Sequence, residues 1–129
     1  MKKRILIAED DGDLRDILRI VLTEEGFEVV TARDGQDAIH QLTDARNKKP
    51  GTVLPAMIIL DLNMPIVDGW KVAAWLDSEQ TLRDIPVIVT SATEEHGAAA
   101  KALHADAYLV KPFTSDEILT VVELFALLS

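Results

Sequence analysis

The sequence predicts an α/β fold: a doubly wound parallel sheet of five strands with five helices. Short apolar runs alternate along the chain with segments whose apolar residues recur at helical spacing. The runs are apolar throughout rather than at every second residue, as parallel strands covered on both faces require. Polar residues then gather where the runs stop, and in such sheets sites form beyond the carboxyl ends of the strands.

The first strand is "RILIA", Arg4 to Ala8. Leu14, Ile17, Leu18, Val21 and Leu22 follow at i, i+3, i+4, i+7 and i+8, the stripe of a helix, and Gly26 is its C-cap candidate. "FEVVTA" is the second strand, and Glu28 implies a wet end or edge. Gly35 to Arg46 carries Ala38, Ile39, Leu42 and Ala45 on one helical face, and "RNKKPGTVLP" is a polar, Pro/Gly-punctuated loop. "AMIIL" is the third strand, stopping just ahead of Asp61. Trp70, Ala73, Ala74 and Leu76 mark a helix after a turn at Asp68-Gly69. "IPVIVTSA" is the fourth strand, Ala98 to Leu103 a short Ala-rich helix, and "AYLV" the fifth strand. "TSDEILTVVELFALLS" closes the pattern as a helix with Thr114 or Ser115 at its N-cap. Right-handed crossovers make five βα units a doubly wound sheet. No repeat or low-complexity stretch interrupts it, so one domain over 1–129 is expected.

Of 129 residues, 48% are hydrophobic, enough for a real core. The net charge of −9 speaks against direct nucleic-acid binding, which needs Lys and Arg against phosphates, and for proteins or a cation as partners. There is no Cys and hence no disulfide. "MKKRILIA" opens like a secretory leader, but its apolar part stops at "EDD". No run approaches the ~20 apolar residues of a membrane span. A cytoplasmic protein without membrane insertion is expected.

The strand ends hold Glu9, Asp10 and Asp11, then Asp61 with Asn63, then Thr90 and Ser91, then Lys111 before Pro112. Two carboxylates about 4 Å apart repel by roughly 4 kcal/mol at an effective dielectric near 20. Such a group calls for a cation or a raised pKa. Oxygen ligands without His or Cys favour Mg²⁺. A cation, a carboxylate, a hydroxyl and a Lys together suit phosphoryl transfer. Each also has a plain structural reading. Asp11 reads best as an N-cap, Ser91 alone as a turn hydroxyl and Lys111 alone as a solvated charge. It is their convergence on one sheet edge that favours chemistry. Asp13, Asp16, Glu24, Glu25 and Asp34 read as solvated. His40, His96 and His104 have no evident partner arranged for a metal, and "DDGD" lacks the spacing of a calcium loop.

"ILIAEDD", "IILDLNMP", "PVIVTSA" and "AYLVKPF", in this order and across nearly the whole chain, resemble the receiver domain of bacterial two-component response regulators. The resemblance implies a CheY-like sheet in order 2-1-3-4-5. It implies Asp61 as phosphoacceptor, Asp10 as direct Mg²⁺ ligand, Glu9 as a ligand through water, and Asn63 as donor of a backbone carbonyl to the metal. It makes Ser91 the switch hydroxyl, Lys111 the phosphate-binding lysine with a cis bond to Pro112, and Tyr108 the aromatic that turns inward on activation. The implied donor is a histidine kinase or a phosphotransfer protein, and the output partner is another protein.

There are departures. The segment from Arg46 to Pro55 is long for the family, and the interval from Ser91 to Lys111 is short, which truncates the fourth helix or its preceding loop. His104 replaces a common glycine, and Ser91 a commoner threonine. The expected function is a stand-alone phosphorylation switch that modifies only itself. The start at Met1 and the stop soon after the last helix favour this over a receiver excised from a hybrid kinase or larger regulator. A phosphatase of the haloacid dehalogenase type would want an acid where Asn63 stands. In the last helix Ile118, Val121, Val122 and Phe125 suffice to pack on the sheet. Leu119, Leu124, Ala126 and Leu127 are then left either to fold back on the neighbours of this helix or for a homodimer or partner through the fifth strand and helix.

Overall fold

The computed structural model describes residues 2–102 and 105–128. Its strands are β1 (Arg4–Ala8), β2 (Glu28–Ala32), β3 (Met57–Asp61), β4 (Val87–Ser91) and β5 (Ala107–Val110). Its helices are α1 (Gly12–Glu24), α2 (Gly35–Arg46), α3 (Gly69–Ser78), α4 (Gly97–Ala102) and α5 (Ser115–Leu128), with one 3₁₀ turn at Glu94–His96. The strands are all parallel, in the order β2-β1-β3-β4-β5. Of the expected fourth helix, Leu103 lies outside the described residues, as does His104.

Alternation along the two central strands sorts the core into two layers, because successive side chains of a strand point to opposite faces. Ile5 and Ile7 of β1, with Met57 and Ile59 of β3, pack under Leu18 and Leu22 of α1 and Ile118 and Val122 of α5. Leu6, Ala8, Ile58 and Leu60 pack on the other side, under Leu42 of α2 and Val72 and Leu76 of α3. This is why the runs carry no polar residue at alternate positions. Each Leu or Ile so buried contributes roughly 1.5–3 kcal/mol. At the sheet edge, exposed Glu28 pairs with Arg4 across the β1–β2 ladder.

Side chains cap the helices as their types dictate. Asp11 accepts from the N–H groups of Asp13 and Leu14, Asp34 from Asp37, and Asp68 from Lys71. Asp34 is therefore a cap and not merely solvated. Thr114, rather than Ser115, caps α5 in a reciprocal box: its Oγ1 accepts from Glu117 N–H at 3.1 Å, and Glu117 Oε1 accepts from Thr114 N–H at 3.1 Å. Gly26 follows α1 at φ 95°, the left-handed geometry that favours glycine at a helix end.

Two expectations are corrected by packing. In α5, Leu119 and Ala126 pack against the core with Val121 and Phe125, while Leu124 and Leu127 stay exposed. His40 does have a carboxylate arranged with it: Nε2 lies 3.3 Å from Asp44 Oδ2, one turn along α2. The long segment after α2 returns to the sheet through Ala56 N–H on the Arg4 carbonyl, 2.7 Å. With α2 and the start of β1 it encloses a cavity of about 180 Å³ lined by Arg4, Gln41, Asp44, Thr52, Val53 and Pro55, among others. That places it at the amino ends of the strands, opposite the acidic residues. Among the described residues no helix is long and apolar enough to cross a membrane.

Candidate functional site

The chain passes from β1 to β2 on one side and then to β3 on the other, so the strand order reverses between β1 and β3. A crevice opens there beyond the carboxyl ends of the strands. β1 ends at Ala8, and the next residue, Glu9, is held by its N–H on the Ala32 carbonyl at 3.1 Å. Its carbonyl accepts from Arg15 Nη1 at 2.8 Å, and its Oε2 accepts from Asp11 N–H at 3.1 Å. β3 runs one residue further than the apolar stretch, because Asp61 still pairs with Thr90 of β4. That last step of the ladder aims the carboxylate into the crevice.

Glu9 and Asp61 are both buried, 2% and 1% exposed, while Asp10 is exposed. One carboxylate oxygen from each of Glu9, Asp10 and Asp61 lies within 4.8 Å of the others. Lys111 reaches in from the end of β5, its Nζ 2.8 Å from Glu9 Oε1 and 3.2 Å from Asp61 Oδ2. Asp61 Oδ1 accepts from Asn63 N–H at 3.1 Å. Oδ2 accepts no hydrogen bond among the described residues, since the Lys111 ammonium is near but poorly aligned. A buried oxygen left so costs stability, and it is an atom of the cluster with acceptor capacity to spare.

The electrostatics follow from burial. Loss of water pushes the Glu9 carboxyl up to about 7, with the Asp61 charge adding to it and Lys111 and Asp11 N–H opposing. Burial likewise raises Asp61, against the pull of Asn63 N–H and Lys111. Burial lowers Lys111, but Glu9 and Asp61 outweigh it and hold the ammonium above its ordinary value. Three carboxylates with an orphaned oxygen and no nitrogen or sulfur donor could hold a hard divalent cation.

The loop after β3 is shaped around Asp61. Gly69 sits so close that a Cβ there would stand 2.1 Å from the Asp61 carbonyl oxygen. Ile66 is 71% exposed at φ 68°, a left-handed conformation that strains a β-branched residue. The Lys111-Pro112 bond is cis, as the resemblance implies.

Ser91 ends β4, fully buried, with the Lys111 N–H on its carbonyl at 2.7 Å. Its hydroxyl does not face a carboxylate: Oγ lies 2.8 Å from His96 Nδ1 and accepts from Thr93 N–H at 3.3 Å. Half-buried Tyr108 donates its hydroxyl to the Thr93 carbonyl. The structure thus gathers Glu9, Asp10, Asp61 and Lys111 into one cluster. Asn63 joins it through its backbone N–H, and Ser91 and Tyr108 sit on the next strands. Sequence reasoning missed His96. Its only signal is a position five residues after Ser91, which becomes a contact because a single 3₁₀ turn folds it back. The edge of its ring system meets Trp70, with centroids 5.1 Å apart and planes at 80°.

Fold and cluster together define a CheY-like α/β protein with an acidic, cation-competent crevice at the sheet's switch point. The sequence matches the family described as the response regulator receiver domain over residues 5–123. The chain therefore belongs to the response regulator receiver family, a module of two-component systems. It is similar to the transcriptional regulatory protein PrrA of Mycobacterium tuberculosis, 38% identical over 122 residues, 93% of this chain and 48% of that protein. It is 33% identical to the phosphate regulon transcriptional regulatory protein PhoB of Escherichia coli, covering 92% of this chain and 49% of PhoB. The chain thus spans about half the length of these curated relatives. Among solved structures it resembles the chemotaxis response regulator CheY4 of Vibrio cholerae, with a TM-score of 0.85 and 25% identity over 97% of this chain and 99% of CheY4. It also resembles the phosphorylated cyanobacterial phytochrome response regulator RcpA, at TM-score 0.79 and 31% identity over 95% and 89% of the two chains.

Proposed function

We propose that the chain is a cytoplasmic phosphorylation switch that accepts a phosphoryl group on Asp61 from a histidine kinase or phosphotransfer protein. The observation that carries it is Asp61 Oδ2: buried, accepting no hydrogen bond, and set between an ammonium and two further carboxylates. Oδ2 attacks the phosphorus in line; the P–N bond of the donor phosphohistidine breaks, its electron pair returns to the imidazole, and an acyl phosphate forms. Water later attacks that phosphorus and returns the carboxylate and inorganic phosphate. No separate substrate is turned over.

Glu9, Asp10 and Asp61 would hold Mg²⁺, with the Asn63 backbone carbonyl as a further ligand. Bound Mg²⁺ supplies charge neutralisation for the phosphoryl oxygens. Lys111 places a second positive charge on them and offsets the repulsion between the Glu9 and Asp61 carboxylates when the cation is absent. Ser91 offers a hydroxyl proton to the phosphoryl group, and Tyr108 follows its movement. For this switch to stand alone, the natural protein must be no longer than this chain. Immunodetection in the source cells then shows a species of 14.2 kDa, and a longer protein would refute that part.

The central test is phosphorylation by acetyl phosphate with Mg²⁺, read by mass spectrometry. One hydroxylamine-sensitive phosphoryl group is expected on the parent and none on folded Asp61→Asn. Labelling that persists in the variant would sink the assignment.

A further inference from the structure

The Ser91 hydroxyl has one proton and two lone pairs. Thr93 N–H, 3.3 Å away, can only donate to it. The remaining polar atom in reach among the described residues is His96 Nδ1, 2.8 Å away. Ser91 is fully buried, so a proton without an acceptor would be costly. If Nδ1 carried hydrogen it would donate too, and that proton would have none. The donor count therefore assigns the tautomer: Nε2 carries the imidazole hydrogen, and Nδ1 accepts from Ser91.

A phosphoryl oxygen on Asp61 has no hydrogen and can bind Ser91 only by accepting the same proton. This step rests on the phosphoryl-acceptor reading above. We infer that His96 is a latch on the switch hydroxyl, competing with the Asp61 phosphoryl group for the single proton of Ser91. His96 touches neither the carboxylate cluster nor the incoming group in this arrangement, so it is a positioning residue. The latch is held by the fold rather than by chance proximity. The 3₁₀ turn from Glu94 to His96 brings the ring back over β4, and Trp70 backs it edge-on. It sets a cost for activation, because the Ser91–His96 bond must break as the Ser91–phosphoryl bond forms.

Beryllofluoride with Mg²⁺, a mimic of the phosphoryl group, measures that cost. His96→Phe keeps a ring against Trp70 but has no acceptor, so it is expected to bind beryllofluoride about fivefold more tightly, the factor one ordinary hydrogen bond represents. His96→Asn places Oδ1 where Nδ1 stood and should return the affinity to that of the parent. In a Ser91→Ala background His96→Phe should change nothing. The same fivefold gain in that background would show a merely structural role and overturn the latch, as would unchanged affinity in His96→Phe alone. Imidazole ¹⁵N NMR of the metal-free parent gives a reading that needs no variant to fold. Nδ1 of His96 without hydrogen is expected, shifting when beryllofluoride is added, and Nδ1 protonated would overturn the latch by itself. A parent that binds no beryllofluoride at all would instead bring down the phosphoryl-acceptor reading, and the latch with it.

Discussion

Replacing Glu9 by Gln should stabilise the metal-free protein at neutral pH, and the gain should vanish in acid. Glu9 is 2% exposed, and its carboxyl is raised from 4.5 to about 7 by burial first and by the Asp61 charge second. Between these two values the folded protein holds a proton that the unfolded chain has lost. Stability therefore falls as pH rises through this window, because the unfolded state binds fewer protons. The loss is absent below about 4.5 and complete above about 7, and a difference of that size is worth about 3 kcal/mol. Asp61 is raised for the same reason and adds a loss of the same sign, which the variant keeps. Lys111, held above its ordinary value, stays charged throughout and leaves the slope unchanged. Urea unfolding of parent and Glu9→Gln in EDTA, from pH 4 to pH 8, isolates the Glu9 part as a difference. The variant should lead by about 3 kcal/mol more at pH 8 than at pH 4, or about 10 °C in Tm for a chain of this size. A difference that does not change with pH, or that grows toward acid, would refute the claim that burial of this carboxylate opposes folding.

Three further outcomes are expected. Mg²⁺ at 100 times its Kd should stabilise the parent by about 2.7 kcal/mol, and Asp10→Asn should remove most of that; a Tm insensitive to Mg²⁺ in the parent would remove the metal site. Gly69→Ala puts a Cβ 2.1 Å from the Asp61 carbonyl oxygen and 2.6 Å from Leu62 Cα, so backbone must shift. The unfolding free energy from denaturant titration should drop by roughly 1–3 kcal/mol, with acetyl phosphate labelling reduced in parallel. Leu124 and Leu127 of α5 are 53% and 85% exposed, an apolar pair at i, i+3. If this face pairs two copies or docks a partner in the phosphorylated form, light scattering should show association with beryllofluoride in the parent and none in Leu127→Glu; a monomer in every condition, with partner binding untouched, would dismiss it.

Strand identities were legible along the chain because a central parallel strand is covered on both faces and so runs apolar without alternation, as Ile5 to Ala8 and "AMIIL" do. Residue type and position at strand ends likewise exposed Glu9, Asp10, Asp61 and Lys111, since an acid or ammonium ending an apolar run needs a reason to be there. Local chemistry also named Asp11 and the Thr114–Ser115 pair as caps, the pair separable only once Glu117 was seen to close the box, while Asp34 and Asp68 emerged as caps only from the structure. What remained hidden depends on long-range geometry. Whether Leu119 and Ala126 face the core is decided by the tilt of α5 on the sheet, which helical spacing does not contain. That Asp61 is the last rung of β3 is decided by Thr90 on another strand. The orphaned Oδ2 follows from where Lys111 happens to stop. And the pairing of Ser91 with His96 exists because one 3₁₀ turn, braced by Trp70 from α3, closes a short loop over β4. A hydrogen bond is directional within a few tenths of an ångström, and only the packed chain sets distances that finely.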